Sequence, residues 1–131
     1  MMNINVDQGE FNVAESGFTI TTGYAVPCIL IGVYDKKLKK AYLIHEDIAA
    51  HNGKLSEFIE KIKAESNIED LIIKVRGGSG SKKDPDFDAV EHNRAAVENS
   101  LKDFPKKNID KLWRKSCMGI DTETGKFWFR D

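Results

Sequence analysis

The run Cys28-Ile29-Leu30-Ile31-Gly32-Val33-Tyr34 decides the fold. It is apolar at odd and even positions alike, which is the pattern of a strand covered on both faces rather than of one with a wet side. Such a strand needs one layer above it and another below. The neighbouring sequence offers both. Asp35-Lys36-Lys37-Leu38-Lys39 is a polar turn, and Ala41-Tyr42-Leu43-Ile44-His45 returns from it as a second strand, making a hairpin. Upstream, Phe18-Thr19-Ile20-Thr21-Thr22 has the β-branched content of a strand, and a weaker one surrounds Phe11 to Val13.

Downstream, Leu55, Phe58, Ile59 and Ile62 follow the i, i+3, i+4, i+7 spacing that lays them on one face of a helix ending near Asn67. That face packs on a sheet. Residues 71–75 read as the next strand, running into Arg76-Gly77-Gly78-Ser79-Gly80-Ser81 as a flexible polar loop. Asp84 before Pro85 reads as the cap of a second helix, with Phe87, Val90, Arg94, Val97 and Leu101 facing inward and Pro105 closing it. Residues 109–114, 117–121 and 126–130 read as three final strands, the last two joined through Thr122-Glu123-Thr124-Gly125. The expected fold is α+β: two packed, mostly antiparallel β-sheets with two main helices covering an outer face.

With 131 residues and no repeat, low-complexity tract or linker, the sequence reads as one domain over 1–131. Folding at this size hides roughly two-thirds of the surface the unfolded chain exposes, enough for a sizeable core. Twenty Lys and Arg against 21 Asp and Glu give a formal net charge of -1, with the cations scattered, so nothing favours a nucleic-acid partner. No apolar run is long enough to span a bilayer, and Met1-Met2-Asn3-Ile4-Asn5 lacks the character of a secretory signal; the expectation is a cytoplasmic protein with no membrane insertion. The two cysteines, Cys28 and Cys117, lack CxxC spacing, which argues against a disulfide framework and against a thiolate metal site.

The chemistry-bearing pair comes from the hairpin itself. Antiparallel pairing about a turn near Lys37 brings Cys28 opposite His45, or within a residue or two of it. An unperturbed thiol, with a pKa of about 8.5, is mostly protonated at neutral pH, and an adjacent imidazolium stabilises the thiolate. A Cys-His pair is thus a nucleophile with its own acid and base. The plainer reading makes Cys28 a small buried hydrophobe and His45 a surface residue.

Thr22, Cys28 and His45 stand at intervals of 6 and 17 residues. In those intervals the sequence resembles the chemoreceptor glutamine deamidase family, CheD, whose catalytic architecture is shared with deamidating toxins of the cytotoxic necrotizing factor type. The resemblance runs from about Thr21 to Phe129. Weaker echoes keep the family's order: Tyr34-Asp35 after the strand, Lys74 with Gly77-Gly78, Asn93 in the second helix, and a closing strand after Thr124-Gly125.

The resemblance implies that Cys28 is the nucleophile, His45 the general base and acid, and Thr22 the group that holds the imidazole. It also implies a protein substrate, chemoreceptor-like or otherwise glutamine-bearing, and requires no cofactor or metal. One departure stands out: the family has Gly-Ser before its Cys, and this chain has Val26-Pro27. Proline has no N–H, so residue 27 cannot donate to an oxyanion; Pro27 also pushes Val26 into an extended conformation, and Tyr24 replaces a small residue at the cleft. Two alternatives stay open at this point: a protein-binding module whose catalysis has lapsed, and a Cys-His amide hydrolase, protease or transglutaminase of other specificity.

The remaining candidates read as structural. His51 and His92 lack the close spacing of a helical metal site. The glycine run 77–80 lacks the Lys-Ser or Lys-Thr of a phosphate loop and reads as a mobile loop at the cleft edge. Trp113, Phe127, Trp128 and Phe129 read as packing residues, with Phe127 and Phe129 on one sheet face and Trp128 on the other; Cys117 reads as a structural thiol. Oligomeric state is not legible.

Overall fold

A computed structural model describes residues 2–25, 28–47 and 53–130. The apolar run forms strand β4 (Ile29–Asp35), buried at every position, and returns through a tight turn as β5 (Lys40–Glu46). The Asp35 carboxylate accepts from the amides of Lys37 and Leu38, at 3.0 and 3.1 Å, which fixes the turn and hence the register of the hairpin. The other strands are β1 (Met2–Val6), β2 (Glu10–Ala14), β3 (Phe18–Thr22), β6 (Leu71–Gly77), β7 (Ile109–Lys111), β8 (Cys117–Asp121) and β9 (Phe127–Arg130). They make two sheets, ordered β1-β3-β8-β9 and β2-β5-β4-β6-β7, antiparallel except for the pairs β1 with β3 and β6 with β7. This is the α+β architecture expected from the sequence.

Alternation along β4 divides the core. Ile29, Ile31 and Val33 pack with Tyr42, Ile44, Ile73 and the apolar face of helix α1 (Leu55–Glu65); Leu30 and Tyr34, with Leu43 of their own sheet, pack with Ile20, Met118 and Ile120 of the facing one. Gly32, on that second face, makes the close approach possible, since a Cβ there would overlap the Met118 sulfur and crowd Ile120 and Phe127. Each fully buried Ile or Leu contributes about 1.5–3 kcal/mol, so both layers are worth more than any single polar contact.

Helix α1 buries Leu55, Phe58, Ile59 and Ile62, the four positions its spacing marks. Its first turn is held from outside the helix: Glu46, 1% exposed, accepts from the Lys54 amide at 3.1 Å, placing a carboxylate at the positive end of the dipole. Helix α2 (Phe87–Ser100) buries Val90, Asn93 and Val97, and the core continues through Leu101 and Phe104.

Several boundaries differ from the sequence reading. Asp84 does not cap α2: its carboxylate accepts from the Ser81 amide at 2.7 Å, and the helix begins at Phe87 after Asp86. Asn93 takes the fully buried place expected of Arg94, which is half-buried. Strand β6 extends through Arg76 and Gly77, and β7 stops at Lys111, short of residue 114. Strand β1 is new; it lines the edge of its sheet through Asn3 and Asn5, which bond to Thr19 and Thr21. Phe127 and Phe129 face the intersheet core while Trp128 is exposed, as alternation requires. No helix among the described residues is long and apolar enough to cross a membrane.

Candidate active site

In the central hairpin His45 stands directly opposite Leu30, and Ile29 opposite Glu46. His45 therefore projects on the same face as Leu30 and Leu43, towards the facing sheet. Cys28, two residues before Leu30, belongs to the same intersheet cluster. The two are diagonal neighbours, a relation that places α-carbons roughly 7–8 Å apart in a regular sheet. Thr22 comes from the other layer, at the end of β3, on the face that Ile20 buries. Three strands thus bring Thr22, Cys28 and His45 to one end of the space between the sheets, where they are 8%, 6% and 5% exposed.

Their bonding is less direct than their placement. The Thr22 hydroxyl accepts from the Met118 amide at 3.1 Å. That bond fills a gap in the ladder, because β3 and β8 pair through Thr21 and Gly119, separate, and meet again only at Ala25 and Ser116. Both ring nitrogens of His45 are buried without a hydrogen-bond partner among the described residues. An unpaired buried polar group costs about 1–3 kcal/mol, so a fold that keeps one carries a penalty that packing alone does not explain.

The electrostatics match a neutral pair. Burial, then the negative charges of Asp47 and Glu46, push the Cys28 thiol up to about 11. Burial lowers the His45 imidazole below its ordinary value, opposed by Asp7. As arranged here, the site holds a thiol and a neutral imidazole rather than a thiolate and an imidazolium.

The glycine run is tied down at this end. Gly78 donates its amide to the Cys28 carbonyl at 2.8 Å, and Gly77 and Gly78 both adopt left-handed backbone, at φ 83° and 53°. A Cβ on Gly77 would overlap that same carbonyl and crowd Ala25. Arg94 donates to the carbonyls of Gly78 and Gly80, at 2.8 and 3.1 Å. The segment read as a mobile loop is thus latched to α2 through two guanidinium bonds, and glycine serves close backbone approach rather than phosphate binding.

Of two buried polar residues at this end, Glu46 escaped the sequence reading and Asn93 entered it only as an echo of the family's order. Glu46, next to His45, leaves its second carboxylate oxygen buried and unpaired among the described residues. Asn93 donates to Asp47 at 3.0 Å, tying α2 to the end of β5. Their signal was present, since a carboxylate closing an apolar strand and an amide at the i+3 position after Val90 both break an apolar pattern. Tyr24 is 48% exposed, with the Lys115 ammonium 5.3 Å from its ring centre.

Val26, Pro27 and His51 lie outside the described residues, so the expectations attached to them have no structural counterpart here. Among the described residues no group of three or more His, Cys, Asp or Glu is placed to hold a metal ion. Cys117, read as a structural thiol, is half-buried on β8. Comparison with protein-family models and with curated proteins gives no match for this chain.

Proposed function

We propose that the chain is a cysteine-dependent glutamine deamidase of the CheD type, with Cys28 as nucleophile, His45 as proton carrier and Thr22 beside them. The observation that carries the reading is the buried imidazole with two unpaired nitrogens on the same sheet face as a thiol. Moving one proton from the sulfur to the imidazole turns the neutral pair into thiolate and imidazolium with no change in net charge, so the resting state differs from the reactive one by a single internal transfer.

The thiolate attacks the side-chain carboxamide carbon, and the C–N bond breaks as His45 returns its proton to departing ammonia. Water, deprotonated by the same ring, then cleaves the thioester and restores the thiol. The sum is glutamine plus water giving glutamate plus ammonia. Because Pro27 has no N–H, the Cys28 amide is the donor that its own segment offers to the oxyanion. The substrate is a glutamine-bearing protein, chemoreceptor-like by resemblance, met in the cytoplasm.

Mass spectrometry tests this: incubation with a glutamine-bearing protein raises its mass by about 1 Da per site, with matching ammonia release, and Cys28→Ala and His45→Gln abolish both. Absence of any mass change across a panel of folded and peptide substrates overturns the reading. Peptide cleavage or amine incorporation in place of ammonia release would assign the same nucleophile to a protease or a transglutaminase.

A second reading, a protein-binding module with lapsed catalysis, draws on the Thr22 hydroxyl already engaged by Met118 and on the raised thiol. Under it, Cys28→Ala leaves partner binding and cellular phenotype unchanged.

A further inference from the structure

The segment that links the two sheets at the Cys28 end carries cations and no acids: Lys111-Leu112-Trp113-Arg114-Lys115. Its position follows from backbone pairing. Arg114 exchanges two hydrogen bonds with Gly77, at 2.8 and 2.9 Å, and Ser116 exchanges two with Ala25, at 2.9 and 3.3 Å. Gly77 in turn lies against both the Cys28 carbonyl and the Ala25 side chain. The strap therefore crosses the end of the sandwich beside the candidate nucleophile and continues outward as an exposed ledge.

Within this segment Lys111 pairs with Glu98, and it is the charge of Lys115 that is offered to a partner. Lys115 makes no ion pair among the described residues; its ammonium lies over the exposed ring of Tyr24. An ammonium held against an aromatic face keeps its full charge while losing some freedom, which lowers the cost of ordering it on binding. Tyr24 itself supplies the kind of rigid amphipathic surface that anchors interfaces. The carboxylates nearest the thiol are engaged within the protein: Glu46 is buried and accepts from the Lys54 amide, and Asp47 accepts from Asn93 at 3.0 Å. A substrate segment laid across the ledge meets the Lys115 ammonium beside the Tyr24 ring.

We infer that the Tyr24–Lys115 ledge selects glutamines flanked by acidic residues, so that the substrate class is an acidic, glutamine-bearing segment of a protein. The inference rests on the deamidase reading for its chemistry, but the ledge's preference has a readout of its own. An acidic flank gains attraction at Lys115, and a basic flank is rejected there.

The test uses three otherwise identical glutamine peptides with Glu, Ala or Lys at the two positions on either side of the target. Ammonia release is measured with the full chain, and binding by fluorescence anisotropy with Cys28→Ala at two salt concentrations. The acidic peptide is expected to exceed the neutral one roughly fivefold to tenfold in kcat/KM and in affinity, and to lose that advantage in high salt and in Lys115→Glu or Lys115→Gln. Equal handling of all three peptides, or a preference untouched by both Lys115 variants, overturns the ledge. Acid-selective, Lys115-dependent binding without ammonia release from any peptide upholds the ledge and overturns the deamidase reading instead.

Discussion

The carbonyl of Cys28 accepts the amide of Gly78 at 2.8 Å, so the backbone of the candidate nucleophile is fixed by the loop after β6 rather than by its own strand alone. Gly77 reaches that position in left-handed backbone with no space for a Cβ. Gly77→Ala is expected to cost at least ~1–2 kcal/mol from the backbone alone, with steric overlap added to it. Urea unfolding reads the loss as a lower midpoint; an unchanged midpoint would contradict the geometry.

Arg94 secures the same loop from the helix side through the Gly78 and Gly80 carbonyls. Arg94→Gln is expected to destabilise by about 1–3 kcal/mol, the range for lost hydrogen bonds to a charged donor. It should also expose the thiol. Alkylation of Cys28 by iodoacetamide, followed by peptide mapping, should run faster in this variant than in the wild type at equal pH.

Gly32 sits where the two sheets approach closely, against Met118, Ile120 and Phe127. Gly32→Ala is expected to destabilise by about 1–3 kcal/mol through overpacking, and Gly32→Val by more. Gly119 is the control: a Cβ there would meet the ring of Trp128, which lies on the exposed face and can swing away. Thermal melts of the two alanine variants should separate them, with Gly32→Ala the lower; the reverse order would place the sheets differently.

Stability should fall at both ends of the pH scale, for opposite reasons. His45 binds its proton less readily folded than unfolded, because burial lowers it. As pH falls below about 6.5, the unfolded chain takes up a proton that the folded one refuses, and stability is lost. A second acid loss follows below 4.5: hydrogen bonds from Lys40 and then Lys61 hold Glu65 down at about 2, and the stability they confer disappears between those values. At the alkaline end, Cys28 keeps its proton to about 11 against a reference of 9.0, so the unfolded chain ionises first and stability falls from pH 9 upward. Unfolding free energies measured from pH 3 to 10 check this, with His45→Gln removing only the loss that begins near neutrality.

Most of the layer structure was legible because β4 is apolar on both faces and the α1 positions repeat at helical spacing, and both patterns report burial directly. Strand β1 was missed although Met2-Asn3-Ile4-Asn5-Val6 alternates and turns at Asp7 to Glu10, because it skips the strand that follows and pairs in parallel with β3, whose residues stand sixteen positions on. The Asp84-Pro85 pair misled for a local reason, since an Asp side chain closes a turn on Ser81 as readily as it caps a helix. Within the site, alternation and register carried Cys28 and His45 to a common face. The Thr22 bond to Met118 depends on a break in a ladder between residues 96 apart, which no local pattern encodes.

The sheet facing Cys28 is assembled from both halves of the sequence, with β1 and β3 joined to β8 and β9. A growing polypeptide can close the central hairpin early, but it cannot cover Leu30, Leu43 or the sulfur beside them until residues 116–130 have been synthesised. During translation the thiol is bare and its apolar surroundings wet, so this is the interval in which oxidation or a chaperone would find it. Completion of the far end is what puts the candidate nucleophile under cover.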